Sequence, residues 1–410
     1  MSKSNEENLT LNEQALRGNI RSCYWIRACL YSWVTIPTLL LFYDSQGLGI
    51  SQLFYLKTLL SIVALILEIP SGYLADVVGR KKTAVLGCVF WLLCLLLYIL
   101  GDGFYWFLAA ELALGVAVSL LSGVDSALVY DSLLALKAED QYKKIESKLG
   151  SINGFAEAIG GLTGALLASY DLRNPFYLQF VLVAAALLVT LTLKEPPRKK
   201  LSVSVRPWRG IMNAVSFALF QHRGVQSLIL FYGVSACSTL LLVWLAQGYM
   251  KNIELSTTLF GVAWAVFHLF LGFGSLIAHR VDDFFGAFGT FLIMVIGTFI
   301  AFLMLGLWAS PFGLLLIVLL YIIRGLRAPL FRFYINNHVE SDVRATILSV
   351  QGFSVRFFAI IAAPSIGVLI DAYSLSTGFV VLSIVSFLLL SFSLYKIKVS
   401  NVLHLDEVTQ

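Results

Sequence analysis

The stretch "GYLADVVGRKK", Gly72 to Lys82, decides the fold. On its left runs "LFYLKTLLSIVALILEIPS" and on its right "TAVLGCVFWLLCLLLYIL". A glycine, an aspartate and three consecutive cations are concentrated between two apolar runs, each close to the roughly 20 residues a helix needs to cross a bilayer. Two chemistries put charge in such a place: a phosphate-binding loop, or a turn between two membrane helices. Spacing excludes the first. Six residues separate Gly72 from Gly79, and Arg80 stands where the phosphate loop requires a lysine after a shorter gap. The turn between helices remains.

Composition extends this reading outward. The chain has 410 residues, 59% hydrophobic and 13% charged, whereas a soluble domain carries about 25% charged residues. The apolar runs are continuous and do not alternate with polar residues, so helices are expected in place of a membrane barrel. Twelve helices are predicted, over 22–43, 51–76, 82–101, 104–136, 145–170, 176–194, 225–250, 257–279, 285–308, 311–337, 345–371 and 377–397. The fold class is an all-α polytopic membrane protein. The N-terminal "MSKSNEENLTLNEQALRGNIR" is polar and partly acidic, unlike a cleaved signal peptide. The five cysteines lie in or beside apolar runs, without metal-ligand or disulfide spacing, and read as packing residues.

Loop charge sets the expected orientation. Arg80, Lys81 and Lys82 lie in loop 2–3, and Lys137, Lys143, Lys144 and Lys148 in loop 4–5. Arg198, Lys199, Lys200, Arg206, Arg209 and Arg223 lie between spans six and seven. Even-numbered loops and both termini are therefore placed in the cytoplasm, and the chain in a plasma (inner) membrane. The net charge of +5 sits in these loops and does not imply nucleic acid. The expected domains are a tail (1–21), a six-helix bundle (22–195), a linker (196–224), a second six-helix bundle (225–398) and a tail (399–410). Pro196, Pro197 and Pro207 break the linker. Trp208, Ile211, Val215 and Phe217 would give part of it a greasy side along the membrane surface.

The halves echo each other. "GALLASYDLRNPF" (Gly164–Phe176) aligns without gaps to "GVLIDAYSLSTGF" (Gly367–Phe379), and Asp76/Gly79 recurs as Asp283/Gly286. Repeated halves are a common architecture of secondary transporters.

With these features in place, "GYLADVVGRKK" resembles the loop 2–3 signature of the major facilitator superfamily, matching at Gly72, Leu74, Ala75, Asp76, Gly79, Arg80 and Lys81. The resemblance implies twelve spans in two pseudo-symmetric bundles, alternating access, and a gate latch at Asp76 on the cytoplasmic side. Gly72 would allow close helix approach, and a carboxylate such as Asp76 suits a helix N-terminus. Two other family patterns are altered. "ELALG" carries Glu111 where the family's span 4 has an arginine, and "GSINGFAEAIGG" lacks the proline of the antiporter motif.

Ionisable residues at membrane depth are functional candidates. Glu68, Glu111, Asp125 and Glu157 in the first half are candidates for proton coupling, and Arg27 and Tyr31 for substrate contact. Arg324, Arg327 and Arg356 in the second half are candidates for holding a carboxylate or phosphate; His268 is a weaker one. The residues of span 1 form a polar stripe, Tyr24, Arg27, Tyr31, Thr35 and Thr38. In span 4, Glu111 and Asp125 are fourteen apart and would share a face. Salt bridges from Arg27 to Glu68 or Glu157 are the structural alternative. Trp33, Trp244 and Trp264 are candidates for lining a pocket, and Asp131 with Tyr130 for capping the end of span 4.

No nucleotide, zinc or nucleophile-elbow motif occurs. The expectation is a cofactor-free monomer, not an enzyme, with protons, the bilayer and a small molecule as partners. It would act as a proton-coupled secondary transporter of an organic anion or zwitterion. An exporter of drugs or metabolites by proton exchange is the alternative within the class, and a non-transporting receptor or scaffold the alternative outside it.

Overall fold

The continuous apolar runs fold as helices, and the described residues contain no strand. The computed structural model describes residues 3–196, 223–338, 341–400 and 402–403. The helices are α1 (Lys3–Leu30), α2 (Leu39–Ser45), α3 (Ile50–Val78), α4 (Arg80–Leu100), α5 (Phe104–Leu121), α6 (Val124–Ala135), α7 (Tyr142–Ala168) and α8 (Asn174–Thr192), followed by α9 (Arg223–Asn252), α10 (Thr257–Leu307), α11 (Gly313–His338), α12 (Ser341–Ala372) and α13 (Leu375–Val399). Nine spans among the described residues are long and apolar enough to cross a membrane. One is α10, which holds two of the expected spans joined at Gly286. Another runs through α5 and α6 together.

Two expected spans are broken. The first is interrupted between Leu30 and Leu39, where Trp33 takes a positive φ of 43° and a 3-10 turn at Ile36–Thr38 contains Pro37. Proline at the start of a helical turn costs no hydrogen bond, but it ends the helix before it. The polar stripe of span 1 is therefore cut after Tyr31: Thr35 falls in the interruption, and Thr38 is buried at the start of α2. Span 4 breaks at Ser122–Gly123, with Gly123 left-handed at φ 69°. The fourteen-residue spacing of Glu111 and Asp125 thus does not place them on one helix face. A third difference lies at the N-terminus. Helix α1 runs back to Lys3 through the expected tail. Asn19 is buried there, donating to Ser132 Oγ at 3.1 Å and to the Lys194 carbonyl at 2.8 Å. The amphipathic part of the expected linker, Trp208 to Phe217, lies outside the described residues.

The chain forms two compact units. Unit 1 is Met1–Leu48, Leu59–Val203 and Thr257–Ala265, and unit 2 is Gly49–Thr58, Ser204–Ser256 and Val266–Gln410. Within unit 1, α7 packs closely enough that a side chain on Gly160 or Gly164 would strike the carbonyls of Ser32 and Val34. Within unit 2, α9 is buried along most of its length against Phe291, Phe331, Val350 and Leu390.

The sequence echo has a structural counterpart. Gly79 (φ 123°) and Gly286 (φ 70°) each form a sharp joint between successive helical segments, in a backbone region that glycine alone enters freely. Phe176 and Phe379 are both buried one turn into their helices, and Tyr170 and Tyr373 are both exposed just before them.

Candidate functional site

Unit 1 gathers charge around Arg27. This residue lies in the last turn of α1, and Asp125 lies in the first turn of α6, which the Gly123 break creates. Each charge has the sign its own helix end favours. Arg27 Nε donates to Asp125 Oδ2, and Nη2 donates to Ser126 Oγ at 2.9 Å. Glu146 on α7 lies 3.9 Å from Nη2 and accepts from Ser126 Oγ at 3.0 Å. Asn153, with its amide oxygen turned toward Arg27, accepts from Nη1 at 2.9 Å. The guanidinium also stands 5.2 Å above the Tyr31 ring. A cavity of about 130 Å³ opens beside this cluster, with Arg27, Tyr31, Trp33, Trp91, Ser122 and Asp125 in its wall. One guanidinium therefore faces two carboxylates, and Glu146 Oε2 is buried without a hydrogen-bond partner among the described residues.

The other sequence candidates of the first half lie elsewhere. Glu111 is fully buried, not in the Arg27 cavity but at the centre of an aromatic cluster. It accepts from Tyr98 Oη and, at 3.2 Å, from Tyr43 Oη; Phe107 stacks on Tyr98 at 5.1 Å. Glu68 is exposed on α3, and Glu157 is half-buried on α7. The carboxylates that pair with Arg27 are Asp125 and Glu146, in place of the Glu68 or Glu157 considered from sequence. Sequence reasoning missed Glu146, Ser126 and Asn153. Glu146 sits among loop lysines that read as solvated. The signal was its spacing: Glu146, Asn153 and Glu157 fall seven and eleven residues along α7, on one face.

Unit 2 holds its cations differently. Arg327 on α11 is buried, donates from Nη1 to Thr239 Oγ1 at 2.8 Å, and lies 5.0 Å from the Tyr232 ring. Arg324, one turn earlier, lies 5.6 Å from the Tyr321 ring. Arg327 Nε and Arg324 Nη1 are buried without acceptors, and neither side chain meets a carboxylate among the described residues. Arg356 is half-buried on α12. The His268 ring meets Tyr321 edge-on at 5.4 Å. Of the tryptophans, Trp33 borders the unit 1 cavity, while Trp244 carries Lys57 Nζ at 5.1 Å from its ring.

The opening motif is folded as a joint. Arg80 Nε donates to Asp131 Oδ2 at 2.6 Å, and Arg80 also pairs with Asp76 at 3.7 Å. The start of α4 is capped by Glu195, which accepts the backbone N–H of Arg80 at 2.8 Å and of Lys81 at 2.9 Å. A Cβ on Gly79 would lie 3.1 Å from that carboxylate. Gly72 has open space among the described residues where a Cβ would stand. Asp131 acts as the partner of Arg80, while Tyr130 packs edge-on to Tyr142 at 5.2 Å.

Known proteins similar to this chain include resistance proteins and, among solved structures, transporters. The sequence profile of the Major Facilitator Superfamily matches residues 26–328. The chloramphenicol resistance protein CraA of Acinetobacter baumannii is 27% identical over 52% of this chain and 50% of its own length. The quinolone resistance protein NorA of Staphylococcus aureus is 22% identical over 58% of this chain and 61% of its own. The matched region thus spans about half to three-fifths of these relatives. Among solved structures, the nucleoside transporter NupG superposes with a TM-score of 0.73 at 16% identity, covering 93% of this chain and 99% of that one. A D-xylose-proton symporter gives 0.63 at 16% identity, covering 93% and 96%. At these identities the structural likeness shows the fold.

Proposed function

Because the chain belongs to the major facilitator superfamily, we propose that it is a proton-coupled secondary transporter working by alternating access, whose solute carries a carboxylate or another small anionic group. The observation that carries this reading is the pair Arg324 and Arg327, the first half-buried and the second buried, which meet no carboxylate among the described residues. Uncompensated buried charge is costly, and an anionic group on the solute would relieve it through charge-assisted hydrogen bonds. The Arg27 cluster has the opposite surplus, two carboxylates against one guanidinium. We assign proton exchange to that surplus, with Glu146 and Asp125 as its groups. We further read the protein as a monomer of the plasma (inner) membrane with both termini in the cytoplasm; the lysines and arginines of the even-numbered loops support that orientation.

Export of drugs or metabolites in exchange for protons is the second reading, and the two resistance proteins favour it. Transport by purified protein in liposomes, with a pH gradient imposed in either direction, tests both. Uptake of anions or zwitterions driven by a gradient, and lost in Arg324→Gln with Arg327→Gln, is the expected result. Gradient-driven movement of cations alone, undiminished in that variant, overturns the arginine assignment. Absence of any gradient-driven flux would favour a non-transporting receptor on the same fold.

A further inference from the structure

A second cavity, of about 350 Å³, lies inside unit 2 and takes no part in the site above. It is within the size range of small-molecule pockets, roughly 300–1,000 Å³. Its wall comes from α9, α12 and α13. Along α12 it follows Val350, Phe353, Phe357 and Phe358, a distance of about 12 Å at 1.5 Å per residue. Opposite them stand Ile229 and Leu230 of α9. Phe353 and Phe357 are 46% and 48% exposed, so the apolar trough is open along this side. The polar wall residues other than Ser354 gather at one end: Gln226 and Ser227 in the first turn of α9, and Lys396 in the last turn of α13.

Among the described residues that line the trough, the one charge is positive, that of Lys396. Lys396 Nζ stands 5.2 Å from the Phe392 ring, and neither it nor Lys398 has a carboxylate partner among the described residues. Arg223 and Lys398 are exposed at the same ends of α9 and α13. An occupant must therefore be apolar for most of its length and negative at one end. It must also reach a trough open on a helix bundle that is itself embedded in lipid. A soluble phosphate satisfies only the charge, and a zwitterionic lipid only the apolar wall.

We propose that this trough is a binding site for an anionic phospholipid, one acyl chain lying against Phe353, Phe357 and Leu230 and the headgroup phosphate meeting Lys396. Basic pockets between membrane helices recognise anionic headgroups by this combination. The site does not depend on the transport assignment, since none of its residues belongs to the charged clusters described above.

Native mass spectrometry of the full chain in detergent tests it, with phosphatidylglycerol, phosphatidylcholine and glycerol phosphate offered separately. The expected result is one preferentially retained phosphatidylglycerol per chain, and no retention of glycerol phosphate. Lys396→Gln, at the rim of the trough, should weaken that retention about fivefold, the worth of one basic residue near an anionic headgroup. Leu230→Trp should fill the trough and abolish it, while Lys251→Gln, in the last turn of α9, should leave it unchanged. Equal retention of phosphatidylcholine, or unchanged phosphatidylglycerol retention in Lys396→Gln, overturns the proposal whatever the folding of the tryptophan variant.

Discussion

Arg27 in unit 1 and Arg327 in unit 2 are buried to nearly the same degree, 8% and 7% exposed, yet their surroundings differ completely. Arg27 is met by two carboxylates, a serine hydroxyl, an asparagine and a tyrosine ring. Among the described residues, Arg327 is met by one threonine hydroxyl and a tyrosine ring. Burial alone thus says nothing about what a membrane arginine does. A guanidinium ringed by acids is already neutralised and holds its helices together. One facing only hydroxyls and rings retains the capacity to bind an anion from outside the chain.

The comparison is sharpest in the response to removing charge. Arg327→Leu should lower transport about a hundredfold, the worth of one or two charge-assisted hydrogen bonds to a substrate anion. Its thermal unfolding in detergent should be unchanged or move upward, because an uncompensated buried charge is gone. A large loss of stability in this variant would break the contrast. Asp125→Ala should do the reverse in kind: it strips Arg27 of its nearest partner and destabilises unit 1 by about 3 kcal/mol. The double variant Arg27→Leu with Asp125→Leu should recover most of that loss, read in the same unfolding measurement.

The smallest expected effect is at the helix starts. Glu195 caps α4 inside unit 1. Inside unit 2, Asp371 caps the start of α3, accepting the N–H of Ile50 at 3.2 Å and of Ser51 at 3.0 Å. Glu195→Ala and Asp371→Ala should each cost about 1 kcal/mol, the usual worth of an N-cap. Equal losses would show two equivalent caps. A change in transport direction or rate confined to one of them would mark that cap as part of the moving machinery.

Most of the fold was legible because a bilayer permits few solutions: long apolar runs must be helices. Most of the spans, the repeat and the Gly79/Gly286 joints follow from composition and spacing. The breaks did not. Nothing in the hydropathy of "SLLSGVDSALVYDSL" separates α5 from α6, and the Glu111–Asp125 alignment failed for that reason. Arg27, Asp125 and Tyr31 were identified from sequence and are found together. Glu146 was not, because its neighbours in "KKIESK" read as a solvated loop.

Gly72–Lys82 by itself determined a turn between two membrane helices, a family and a class of protein. These rest on local chemistry: a glycine backbone, a run of cations, and the length of the runs beside them. Which charges cancel and which stand open was decided only by the tertiary structure. Pairing joins residues far apart in the chain, Arg27 with Asp125 and Arg80 with Asp131, and electrostatic energy depends on distance in space and on the water excluded around each pair.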